Sequence, residues 1–373
     1  MEPKELIPLF RRDFSFFIEW ALSVIPMKGG PAIPFRLNPG QKEVMRQIQA
    51  RLNQNTFVRA IILKSRRQGI STLCEAIMYA IASLFENNTT MVLAHDKDTS
   101  GELFQIAQGF YDTDRRHKHG ICPLIAKSNE RALRFGNPSK RFRLTDPGLK
   151  SSMLVETAEG RGPGRGLTLM GYHWAEVAYT KNQGVATGLN IACSKVPGSI
   201  GIWESTANGV GDAFENNWRE ATAGANDFIP IFLPWNIDPN CSRTLTNEEY
   251  EYWRYQPGEE ALQKEYNLNL TQLKFRRITI ASPECFRSGV PPEDVFRQEY
   301  PLNPEEAFLK QGKNFFLIPS LEQLKKSEKG IREPKNRVII KSNVDPYLRN
   351  RNDIKIIPVL EEKSFGPLLI WEP

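Results

Sequence analysis

Apolar and amphipathic runs take turns through the first half of the chain. Residues 58–63, 91–94, 154–156, 167–172 and 200–204 read as short buried strands, whereas 73–85 and 99–111 place their apolar residues at helical spacing. This alternation predicts a mainly parallel sheet with helices on both faces. From 246 to about 273 the chain turns polar and helical, and "TNEEYEYW" offers Thr246 as a cap with Glu249 three residues on. A small inserted helical subdomain is expected there. Further on, "LEQLKKSEKGIREPKNRVIIK" is basic and broken by proline, and "GPLLIWEP" reads as a strand entering something further. No internal repeat or low-complexity tract interrupts the pattern.

Composition changes this picture little. Of 373 residues, 40% are hydrophobic and 25% charged, as in an ordinary globular protein able to bury a large core. The 49 Lys and Arg against 43 Asp and Glu give a net charge of +6, which permits a polyanionic partner without requiring one. Five cysteines, each more than forty residues from the next and without a C-x-x-C pair, suit a reduced intracellular setting. The first twenty residues carry Arg11, Arg12, Asp13 and Glu19, unlike a signal peptide, and no 18-residue apolar run occurs. A soluble protein with no membrane partner is expected.

The chemistry concentrates at three strand ends. "ILKSRRQGISTLCEAI", residues 62–77, runs from strand through a basic, glycine-bearing turn into a helix, the layout of a phosphate-binding loop. Backbone N–H groups and a helix N-terminus surround phosphates in such a loop while a flexible cation reaches the terminal one. Ile70 stands where the lysine is usual. The substitutes are Lys64, Arg66 and Arg67, with Arg66 placed first because it occupies the turn and Lys64 second because it can belong to the strand. The candidate nucleotide-binding residues are therefore Lys64, Ser65, Arg66, Arg67, Gln68, Gly69, Ile70, Ser71 and Thr72. Ser71, or Thr72 beside it, offers the hydroxyl that a phosphate-bound Mg²⁺ needs. By themselves these residues equally fit a basic strand-to-helix turn. "LTLMGYHWAEVA", 167–178, is a second apolar strand ending in Glu176, where a nucleotide hydrolase keeps the acid that polarises attacking water, although Ala175 replaces the usual Asp before it. "IWESTANG", 202–209, puts Thr206 and Asn208 in a polar turn after a third strand, placed to sense a terminal phosphate.

A phosphate loop, an acid and a polar sensor in this order resemble the ATPase domain of the viral large terminases, motors that pump DNA into a procapsid. The resemblance spans roughly residues 35–317. It implies a P-loop NTPase fold of the RecA or ASCE kind, with an N-terminal helical arm at 1–34, an ATPase core at 35–235, a helical lid at 236–312 and a linker at 313–373 toward an absent nuclease domain. "KSRRQGIST" looks like the family's variant loop with its cation at the start, "LNPGQKEVM" like its adenine-reading segment, which nominates Gln41, and "ESTANG" like its coupling element. The implied cofactors are ATP and Mg²⁺, the metal held by Ser71 and Glu176, with Glu176, Arg66 and Arg165 as catalytic residues. Arg165 lies in the glycine-rich "EGRGPGRG", eleven residues before Glu176, where the family keeps an arginine that reaches a neighbour's ATP. Double-stranded DNA, a portal protein, a small terminase subunit and self-association into a ring are the implied partners, in the host cytoplasm and transiently at the procapsid. No nuclease activity is expected from the scattered acids of the last seventy residues.

Between 115 and 143 stand nine Lys or Arg and one acid, Glu130, a cluster suited to following DNA without reading sequence or to facing another subunit. His117 and His119 read as surface residues, and His95 and His173 as packing at strand ends rather than catalytic. Trp174, Trp203 and Trp218 fit core packing. The rival readings are a helicase-like ATPase, which would need a second ATPase-like domain after 210, and a DNA-binding adaptor with a decayed nucleotide site.

Overall fold

The chain enters through α1 (Leu6–Arg12) and α2 (Phe14–Ala21), and Asp13 caps the second helix by accepting from the Phe16 N–H at 3.1 Å. A short hairpin, β1 (Ser23–Val24) and β2 (Ile33–Pro34), leads into α3 (Pro39–Asn53), whose Asn38 and Gln41 form a reciprocal capping box. This is a computed structural model describing residues 3–26, 28–129, 131–158, 164, 166–181 and 184–308, together with three strands beyond 335. Two units divide it, at 1–311 and 312–373.

The first unit is organised around a sheet of eight strands. In chain order they are β3 (Val58–Lys64), β4 (Thr89–Ala94), β5 (Ile125–Asn129), β6 (Ala132–Phe135), β7 (Ser151–Thr157), β8 (Gly171–Ala175), β9 (Ile200–Ser205) and β10 (Ile229–Leu233). Across the sheet the order is β10-β3-β9-β8-β4-β7-β6-β5, parallel from β10 to β7 and antiparallel at the β6 and β5 edge. Every residue of β3 is buried, as helices on both faces require of a central strand. The helices between strands are α4 (Ile70–Leu84), α5 (Lys97–Thr113), α6 (Val185–Ala192) and α7 (Ala213–Thr222). One core joins the N-terminal helices, α3, α4 and α5 to one face; the other contains Trp174, Trp203 and Trp218 on the α6 and α7 side. The tryptophans thus pack as the sequence suggests. The N-terminal arm does not stand apart, because Phe10, Phe14, Phe17 and Ile18 enter the first core.

After β10 the chain turns helical: α8 (Asn247–Glu251), α9 (Glu259–Tyr266), α10 (Leu270–Ile280), α11 (Pro292–Glu299) and α12 (Pro304–Ala307). Thr246 and Glu249 form the expected capping box. These helices surround a third core built on Trp235, Leu273, Phe275, Phe296 and Tyr300. In the second unit, the stretch expected as a linker carries a three-stranded antiparallel sheet. Its strands are β11 (Asn336–Lys341), β12 (Val359–Glu362) and β13 (Leu368–Ile370), with β11 central. No helix among the described residues is long and apolar enough to cross a membrane, and the five cysteines are free.

Candidate nucleotide site

The loop after β3 is shaped by what its residues cannot do elsewhere. Gly69 caps α4 at φ +69°, and a Cβ there would meet the Gln41 amide nitrogen at 3.0 Å, so a side chain at this position is strained by conformation and crowds the amide. Gln41 is buried and uses both ends of its amide: Nε2 donates to the Gly69 carbonyl at 2.7 Å, and Oε1 accepts from the Asn38 N–H at 3.0 Å. The amide nominated to read adenine is therefore committed to holding the loop. Gln68 is buried as well and donates to Ser65 Oγ at 2.7 Å and the Pro234 carbonyl at 2.8 Å. Ile70 lies in the first core, which explains why no lysine stands there: its side chain faces the interior of the α4 packing.

The two ranked cations part company. Lys64 ends β3 with its ammonium 3.0 Å from Glu176 Oε1 and 2.9 Å from Glu204 Oε2. Arg66 is half exposed and turns away to Glu299 of α11, Nε to Oε2 at 2.6 Å, while its backbone N–H donates to the Glu299 carbonyl. Strand position, which placed Lys64 second, is what aims it at the acids. Arg67 is exposed at φ +60°.

Glu176 sits just past β8 in the left-handed region at φ +50°, partly exposed, and its Oε2 accepts from Ser205 Oγ at 3.3 Å. The turn after β9 is laced to the turn after β8. Ser205 Oγ accepts from the Ala178 N–H, Thr206 Oγ1 lies 3.2 Å from Tyr179 Oη, and Asn208 Nδ2 donates to the Ala178 carbonyl at 3.2 Å.

A buried polar chain runs behind the loop. Ser71 Oγ donates to Glu204 Oε1 at 2.8 Å, His173 Nε2 lies 3.3 Å from the same oxygen, and His173 Nδ1 lies 3.0 Å from Glu75 Oε1. Burial opposes charge on His173, but its bonds to both carboxylates outweigh that and push it up to about 9. Burial likewise opposes ionisation of Glu204, yet Lys64 and His173 hold it well below the usual carboxylate range. Glu75 is raised, because burial outweighs its single bond to His173. Reading His173 as packing missed this role, and neither Glu204 nor Glu75 stood out in the sequence. The available signal was an acid inside the otherwise apolar strand "IGIWES".

Solved large terminases are similar to this chain. The HK97 bacteriophage large terminase is 17% identical, with 71% of this chain and 53% of that one covered at a TM-score of 0.46. The Thermus phage P74-26 large terminase ATPase domain is 14% identical, covering 65% of this chain and 97% of its own at 0.38. The large terminase of another thermophilic bacteriophage, solved in complex with ATP-gamma-S, is 12% identical with 60% and 51% covered, at 0.38. The chain thus spans about half the length of the first and third of these proteins. No family model and no curated protein matches it.

Other expectations fall away from this site. Among the nine basic residues of 115–143, Arg116 is fully buried, bonded to Asp114 and Ser83 and stacked on Phe17, so it belongs to the core; the others are exposed or partly so. His117 and His119 are exposed, the first bonded to the Tyr111 carbonyl and the second tilted against the Trp20 ring, and His95 pairs with Asp96. Arg165 lies outside the described residues. Among the described residues no cluster of three or more His, Cys, Asp or Glu could hold a metal alone. The Ser71 hydroxyl of the loop and the Glu176 carboxylate beyond β8 are oxygen donors of the kind Mg²⁺ takes when it is shared with substrate phosphates, since that ion is normally held by few protein groups.

Proposed function

We propose that this chain is the ATP-hydrolysing motor domain of a large terminase, driving double-stranded DNA into a viral procapsid. The observation that carries the reading is the convergence of Lys64, from the strand before a glycine-capped helix, on Glu176, from the end of another parallel strand. In the proposed mechanism, the N–H groups of the turn and of the first turn of α4 take the phosphates of ATP. Lys64 exchanges its carboxylate contacts for phosphate oxygens, and Glu176, freed from the lysine, orients the attacking water and accepts its proton. Ser71 and Glu176 are the residues that would hold Mg²⁺, and the ion would supply positive charge to offset the charge developing on the phosphates. Ser205, Thr206 and Asn208 tie the turn carrying Glu176 to the turn after β9 and give hydrolysis a mechanical outlet. Arg165 completes a neighbour's site in a ring assembled with portal and small subunit, in the host cytoplasm. The exposed cations of 115–143 are the surface proposed for DNA.

Phosphate release from ATP by the purified chain with Mg²⁺ tests the reading. Glu176→Gln is expected to lower turnover by about 100-fold or more while leaving nucleotide bound. Near-normal turnover in that variant would remove Glu176 from its role.

A further inference from the structure

Ala175 leaves Glu176 without the Asp usual before it, and the sheet register points to a replacement. β8 and β9 are parallel neighbours in which Ala175 is paired with Glu204. Paired residues on adjacent strands project to the same face about 4.8 Å apart. Ala175 packs in the same core as Ile200 and Ile202, and Glu204 continues that alternation two residues on. A glutamate, one methylene longer than the missing aspartate, can reach across that gap, and the small Ala175 side chain leaves it room. Its carboxylate arrives against the loop hydroxyl: Ser71 Oγ donates to Glu204 Oε1 at 2.8 Å. Glu204 is fully buried, with Lys64 on its other oxygen and the His173 and Glu75 chain behind it.

We propose that Glu204 positions the loop metal, carrying out from β9 what an acid at 175 would carry out from β8. The inference rests on the phosphate-site reading above. It also accounts for Ala175, because the room its small side chain leaves is what the longer Glu204 crosses. Ala175 and Glu204 are then one device, an acid moved sideways by one strand. Glu75 belongs to the same buried chain but its hydrogen bond runs to His173 and not to Ser71, so it separates metal positioning from a general disturbance of that chain.

The test follows a fluorescent ADP analogue bound to the protein as Mg²⁺ is titrated in. Glu204→Gln is expected to move the Mg²⁺ midpoint up by about 10–100-fold, the usual cost of losing a group that orients a metal's ligands. Glu75→Gln should leave the midpoint within about threefold, below that range. Glu204→Gln combined with Ala175→Asp, returning the acid to β8, should recover most of the loss. Glu204→Asp keeps the charge opposite Lys64, which guards against unfolding, and should also raise the midpoint because the shorter side chain withdraws from Ser71. An unshifted midpoint in folded Glu204→Gln or in Glu204→Asp overturns the proposal, as does an equal shift in Glu75→Gln. If the wild-type chain binds no nucleotide, or binds it without regard to Mg²⁺, the phosphate-site reading itself fails, which is a distinguishable result.

Discussion

Replacing Lys64 by Met should destabilise the fold far more than replacing Arg66 by Met, although the sequence shows only two cations two residues apart. Methionine keeps the linear apolar stem and removes the ammonium. Breaking a buried ion pair from one side costs about 3–5 kcal/mol because the remaining charge is stranded. Glu204 is fully buried, but Ser71 and His173 still donate to it, which places the loss at the lower end, about 3 kcal/mol. Glu176 is partly exposed and water can replace its lost donor, adding under about 1 kcal/mol. Arg66 is half exposed, and its partner Glu299 retains Arg287 at 3.0 Å, so that pair contributes a surface-like value of about 0–1 kcal/mol. Thermal melts at equal protein concentration provide the measurement. At about 2–4 °C per kcal/mol for a large domain, Lys64→Met should melt roughly 6–12 °C below wild type and Arg66→Met within about 4 °C. In 1 M salt, where the screening length is about 3 Å, the Arg66 effect should vanish and the Lys64 effect persist. A Lys64→Met melt within about 2 °C of wild type, or the larger loss at Arg66, would refute the burial argument. The same proteins titrated with an ATP analogue should show binding lost at Lys64 and retained at Arg66.

Gly69→Ala should lower stability by about 1–2 kcal/mol and weaken nucleotide binding, since it strains φ +69° and crowds Gln41; unchanged binding isotherms would contradict the loop geometry. Gly201→Ala places a Cβ 2.5 Å from the Tyr172 ring and 2.9 Å from Arg59 Cδ, an overpacking that should cost about 1–3 kcal/mol in urea denaturation without altering nucleotide affinity in the folded protein. Burial works against the charge of Glu259, but bonds from Arg277 and the Gln256 N–H hold it below the usual carboxylate range. Its contribution is therefore full above its ordinary value near 4.5 and lost as pH falls through the lowered one, so the amide protection factors in α9, each corrected for the intrinsic exchange rate at that pH, should fall in acid, and Glu259→Gln should show the same loss of protection at neutral pH. Mixing Arg165→Ala with Glu176→Gln subunits under assembling conditions should restore activity that neither shows alone, as an arginine supplied in trans is worth about three to five powers of ten; mixtures no better than either parent would end that assignment.

Local chemistry made much of this protein legible in one dimension. The glycine turn between a buried strand and a helix, the acid ending another strand and the capping box at Thr246 depend on neighbours within a few residues, and the backbone adopts them where the sequence places them. "GPLLIWEP" showed β13 as a strand, but the edge strands β5 and β6 and the pairing of β11 with β12 and β13 were harder to see, because antiparallel pairing depends on a partner strand and not on period alone. Which cation faces the acids was decided by tertiary structure: a one-residue step along a strand reverses the face, and a loop residue takes whichever partner lies nearest, here Glu299. The substitution of Glu204 for the acid missing at 175 lay furthest from view. The two positions are 29 residues apart in sequence and become neighbours through the parallel register of β8 with β9, which no periodicity within either strand specifies.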